Sequence, residues 1–112
     1  MDLQNGREKR TQMNHEQTTE QKIQDKGLNA PRITPAIIDS TILAKQFHHF
    51  VGTTTIVCLL TLQNGFTVSG ESACASPENF DEEIGQDIAF NNARDKIWVL
   101  EGYRLKCELT KV

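Results

Sequence analysis

The sequence has no long apolar run, few cysteines and no excess of positive charge. Its longest uninterrupted apolar stretch is Ile56-Val57-Cys58-Leu59-Leu60, far short of the ~20 residues that carry a helix across a bilayer. The opening MDLQNGREKR has no apolar core of the kind a secretory leader needs, so the expected location is the cytoplasm where the chain is made. The 3 cysteines, Cys58, Cys74 and Cys107, are widely spaced and contain no CxxC pair. That excludes a disulfide framework and argues against structural zinc; neither a metal nor a cofactor is expected. Lys and Arg number 12 against 15 Asp and Glu, a formal net charge of −3. Phosphate neutralisation needs the opposite sign, so nucleic acids and anionic membranes are disfavoured as partners.

The charge is unevenly divided. Residues 1–32 hold Arg7, Lys9, Arg10, Lys22, Lys26 and Arg32 against Asp2, Glu8, Glu16, Glu20 and Asp25, which leaves the remainder acidic. In the same segment Leu3, Met13, Ile23 and Leu28 are too scattered to form a stripe, and burial cannot offset the entropy of ordering it. Residues 1–32 are therefore expected to be a disordered polar arm, with 33–112 a single domain. Helicity over Asn14 to Lys26 would be marginal in isolation.

The domain reads as alternating helix and strand. Thr34 before Pro35 is a helix start, and Ile38 with Ile42 gives an amphipathic helix to about Phe47. Two β-rich runs, TTTIVCLLTL and FTVSGES, flank Asn64-Gly65, the pair favoured in a two-residue type I′ hairpin. That turn sets Gln63 opposite Phe66, so Val57, Leu59, Phe66 and Val68 share one face, and Ile56, Cys58, Leu60 and Leu62 take the other. Ser76-Pro77 and Asn79 three before Glu82 announce a long helix, with Gly85, Ala89 and Ala93 small enough to lie close on a sheet. Gly102 is the expected stop, and YRLKCELTK alternates as a third strand. The expected fold is α+β, in the order α-β-β-α-β: a small antiparallel sheet of hairpin plus C-terminal strand, packed by one long helix, with a short N-terminal helix.

These residues are similar to the gene-product forty-nine family, small proteins of tailed bacteriophages and prophages. The similarity covers about Ile33 to Leu109. It is carried by Asn64-Gly65-Phe66, by GESAC (Gly70–Cys74), Asn79-Phe80-Asp81 and Glu83-Ile84-Gly85, and by Asn92-Ala93-Arg94 with Lys96-Ile97-Trp98 and Leu100-Glu101-Gly102-Tyr103. Val99 stands where a proline is expected, which lets the helix run further. The resemblance implies an accessory role in an infected or lysogenic bacterial cell and transfers no catalytic residue.

Candidate sites are weighed against plainer roles. Ser72 in GESAC follows a strand and precedes a helix, but a nucleophile elbow needs glycine on both sides of the serine and Cys74 occupies the second place. Cys74, before a helix start, would make a nucleophile with His48 or His49 as base; a structural cysteine is the plainer reading. Adjacent His48 and His49 diverge on any regular element and make a poor chelate. Asn92, on the inner arc of the long helix, is expected to satisfy a strand end near Gly70 to Ser72. Alternatively Asn92, Arg94, Tyr103 and Cys74 line a ligand pocket. Finally, Ile56, Cys58, Leu60 and Leu62 need a cover, either the short helix or a partner chain, and they are the expected partner-binding residues. The expected function is non-enzymatic: binding a host or defence protein, with homodimers or higher oligomers as a further association. The alternative is an oligomer that sequesters a small nucleotide-like ligand, and a Cys74 enzyme comes third.

Overall fold

The computed structural model describes residues 15–111. Its elements are α1 (His15–Asp25), α2 (Pro35–Thr41), β1 (Ile42–His49), β2 (Ile56–Leu62), β3 (Thr67–Ser72), a single 3₁₀ turn (Pro77–Asn79) and α3 (Glu82–Thr110). The three strands form an antiparallel sheet in the order β1-β2-β3, and α3 lies across one of its faces. The class is α+β as expected, with a small antiparallel sheet, one long helix and a short N-terminal helix.

The third strand comes from a different place. Ile42–His49, expected as helix as far as about Phe47, pairs with β2, and Tyr103–Thr110, expected as a strand, continues α3, so the order in the domain is α-β-β-β-α. Helix α2 starts as its sequence dictates, with Thr34 Oγ1 accepting from Ile37 N at 3.2 Å and Pro35 in the first turn. It stops early because the hydroxyls of Ser40 and Thr41 turn back onto the carbonyls of Ile37 and Ile38. At the other end, the alternation of Tyr103, Leu105, Cys107 and Leu109 was misleading. Leu105, Leu109 and the intervening Arg104, Lys106 and Glu108 are good helix formers, and Arg104 pairs with Glu101 and Glu108 at helical spacings. Val99 does not interrupt the helix, and Gly102 sits inside it.

The start of α3 is capped by Asp81, whose Oδ1 accepts from Ile84 N at 2.9 Å. Ser76-Pro77, expected to open the helix, opens the preceding 3₁₀ turn.

The hairpin register differs by one residue, and that difference decides which face is the core. Leu62 N donates to Phe66 O, Gly65 N donates to Leu62 O, and only Gly65 of the pair has positive φ, at 90°. The connection is thus a three-residue loop with glycine in the left-handed position, not a two-residue type I′ turn. Leu60 consequently faces Val68 and Cys58 faces Gly70. A one-residue slip moves every β3 side chain to the opposite face, so Val68 joins Ile56, Cys58, Leu60 and Leu62 instead of Val57 and Leu59.

That combined face is the interior. Ile56, Cys58 and Leu60 are fully buried, and Leu62 and Val68 nearly so, against Ile38, Ala89, Ala93 and Ile97. The expected partner surface of Ile56, Cys58, Leu60 and Leu62 is therefore corrected: these four are core, and α3 is their main cover. The helix comes unusually close. A Cβ on Gly70 would lie 2.6 Å from Ala89 O and 2.7 Å from Asn92 C, and one on Gly85 would lie 2.8 Å from Ile56 Cδ1. Gly85, Ala89 and Ala93 thus allow the close approach expected of them.

Of the arm expected over 1–32, residues 1–14 lie outside the described residues. His15–Asp25 forms α1, which buries no residue fully and is held to the domain by side chains.

Candidate functional site

The most elaborate polar arrangement in the described structure joins α1 to the middle of α3. Arg94 projects from the flank of α3, and its side chain is only 10% exposed. Its Nε donates to Asp39 Oδ1 at 2.9 Å, Nη2 donates to Pro35 O at 3.3 Å, and Nη1 donates to Glu16 Oε2. One turn on, Trp98 Nε1 donates to the same Glu16 oxygen at 2.7 Å. Burial pushes the Arg94 guanidinium toward losing its proton, but the carboxylates of Glu16 and Asp39 outweigh it, and its pKa is raised. It remains a cation held between two anions.

Beside this cluster lies a cleft of about 410 Å³, lined by Glu16, Thr19 and Ile23 of α1 and by Ile33, Pro35 and Trp98 of the domain, among others. A second tie holds α1 one turn further along the same cleft: Arg32 donates from both terminal nitrogens to the Glu20 carboxylate, each at 2.7 Å. Hydrogen bonding from Arg32, aided by Gln24, lowers the Glu20 pKa from 4.5 to about 2.

The residues expected to line one ligand pocket are dispersed. Asn92 Nδ2 donates to Glu71 O at 2.9 Å, the strand-end role expected for it. Arg94 faces α1 and α2, and Tyr103 is 72% exposed on the last turns of α3. Cys74 sits in the loop after β3, its thiol donating to Ser76 O at 3.3 Å. Cys74 and Asn92 line separate cavities.

The nucleophile constellations also come apart. Ser72 Oγ donates to Gly85 O at 2.7 Å, which ties β3 to α3. His48 and His49 point to opposite faces of β1, as adjacent strand residues must. The His49 ring stacks on Phe80 at 4.7 Å between centroids, its Nε2–H donates to Thr53 O at 2.6 Å, and Nδ1 lies 3.4 Å from Glu82. Its nitrogens are thus engaged away from the thiol. Burial raises the pKa of the Cys58 thiol, with Lys45 opposing, and that cysteine is core packing. Among the described residues no group of three or more His, Cys, Asp or Glu is placed to hold a metal ion, and no helix is long and apolar enough to cross a membrane.

A further feature escaped the sequence reading. The outward side of α3 carries Ile84, Ile88, Val99 and Tyr103, all exposed, the first two also bordering a small cavity beside the Ser72–Cys74 loop. Their spacings of four, eleven and four return to one side of a helix. Reading Tyr103 as the start of a strand hides the stripe, because it appears only when the helix runs on past Gly102. The helix packs on the sheet through Ala89 and Ala93, as expected, and through Ile97.

One long helix on a three-stranded antiparallel sheet, with a buried arginine at its flank, defines a small α+β domain. Residues 33–109 match the family model described as phage protein (N4 Gp49/phage Sf6 gene 66), and the chain belongs to that family. Gly70, Gly85, Asn92, Arg94 and Trp98 lie inside the match; Glu16 and the rest of α1 precede it. Neither a curated protein nor a solved structure matches the chain.

Proposed function

We propose that the chain is a non-enzymatic phage accessory protein that acts by binding a host or defence protein, and that the outward stripe of α3 is its contact surface. The observation that carries this is the pair Val99 and Tyr103, 73% and 72% exposed and one turn apart. The last buried position of α3 is Ile97, about three and a half turns before its end. A helix that continues so far beyond its own core, with large apolar side chains in water, has the form of a helix-in-groove or helix-to-helix contact. A bacterial protein that restricts the phage is the proposed partner, and counter-defence the proposed role. A second copy of the chain is the other protein that such a stripe would fit.

The test is affinity purification of the tagged chain from infected cells beside a Val99→Asp/Tyr103→Asp double variant, with circular dichroism of both. The proposal expects a bacterial protein retained by the native chain and lost by an equally folded variant. Equal retention by both, or no retention by either, overturns it, and a retained small molecule in place of a protein would favour a nucleotide-sequestering module.

A further inference from the structure

Helix α1 is an unusual piece of a fold. It is polar nearly all round and buries nothing completely, and an 11-residue helix of this kind is marginal alone. Its hold on the domain runs through Glu16, which meets Arg94 and Trp98, through Glu20, which Arg32 grips with two hydrogen bonds, and through Ile23, half-buried in the cleft two turns beyond Glu16. Between them Thr19 is exposed and leaves much of the ~410 Å³ unfilled. The groove is better made than its occupant. On the domain side are a nearly buried cation and an indole N–H converging on one carboxylate oxygen, with an aliphatic wall of Ile33 and Pro35 below.

We infer that the Arg94–Trp98 groove is a docking site for an acidic helical segment of a partner protein, and that α1 fills it in the resting chain as a tethered stand-in. The recognised pattern is the one α1 displays: carboxylates four residues apart, for Arg94 with Trp98 and for Arg32, and an aliphatic residue three after the second, with room for a larger side chain at the intervening Thr19 position. The linker from Lys26 to Thr34 keeps α1 at high effective concentration, so an external segment competes only if it fills the groove better. This site lies on the flank of α3 that faces α1, apart from the outward stripe, and its test needs no host protein.

Trp98 is the only tryptophan, so its indole N–H gives a single NMR signal that reports directly on the groove. In full-length Glu16→Ala protein that signal should leave its native position. A synthetic peptide of residues 15–25 should bring it back, while the same peptide with Glu16→Gln should not. Native protein, its groove occupied, should require at least about tenfold more peptide, and Thr19→Leu in the peptide should strengthen the effect. The inference is overturned if Glu16→Ala protein responds to neither peptide, if both act equally, or if native protein responds as readily as the variant. Should Glu16→Ala fail to fold, Glu16→Gln replaces it; failure of both would make α1 an integral part of the core and also overturn the inference.

Discussion

Glu16 and Trp98, 82 positions apart, meet through a 2.7 Å hydrogen bond in which the indole N–H donates to the carboxylate. The same oxygen accepts from Arg94, so one side chain of α1 satisfies two donors of α3. Hydrogen bonds to charged, partly buried groups contribute about 1.5–3 kcal/mol, and Arg94 retains Asp39 when Glu16 is lost. Glu16→Ala is therefore expected to cost about 1–2 kcal/mol, a fall in Tm of several degrees for a domain of this size. Thermal unfolding by circular dichroism checks it, and an unchanged Tm would show that the Glu16 contact contributes nothing to the fold.

Leu60 and Leu59 separate the two faces of the sheet. Leu60 is fully buried beneath α3, whereas Leu59 is 37% exposed on the other face. Leu60→Asp buries an unpaired carboxylate and should unfold the protein; Leu59→Asp should leave folding within about 1 kcal/mol of native. A folded Leu60→Asp protein would refute the observed register.

Two glycines should respond oppositely to alanine. Gly70→Ala places a methyl group against the backbone of α3 and should destabilise by about 3 kcal/mol, because neither backbone yields cheaply. At Gly102, inside α3, an added Cβ meets nothing within 4 Å, so Gly102→Ala should stabilise by up to about 1 kcal/mol. Chemical denaturation of both variants measures this. A destabilised Gly102→Ala would indicate that the helix ends there and a strand follows.

The Arg32–Glu20 tie should show its own pH signature. The folded pKa of Glu20 is depressed to about 2 from 4.5, so its contribution is complete above the ordinary carboxyl range and is lost as pH falls through about 2. NMR titration of the Glu20 carboxyl should give a midpoint near 2 in native protein and a return toward 4.5 in Arg32→Gln. A native midpoint near 4.5 would mean that the tie does not form in solution.

Local chemistry determined a good deal by itself. Thr34-Pro35 fixes the start of α2 because a hydroxyl cap and a residue without N–H suit only that place. The β-branched runs around Asn64-Gly65 make a hairpin, and Gly85, Ala89 and Ala93 make a surface that packs close. Asn92 could be matched to a strand end from its place beside Ala93 on the flank of α3 toward β3, although its amide stays exposed. Other features required the tertiary structure. Ile42–His49 is as compatible with helix as with strand, and the open edge of β2 decides it by supplying backbone partners from Ala44 to His49 and, across an irregularity at Leu43, for Ile42. The residues from Tyr103 to Thr110 satisfy both a period of two and helical pairing, and continuation of α3 decides between them. The hairpin register turned on one residue of loop length, and with it went the identity of the core face. The meeting of Glu16 with Arg94 and Trp98 was beyond any local signal, since electrostatic and hydrogen-bond partners so distant in sequence are chosen only when the fold brings them together.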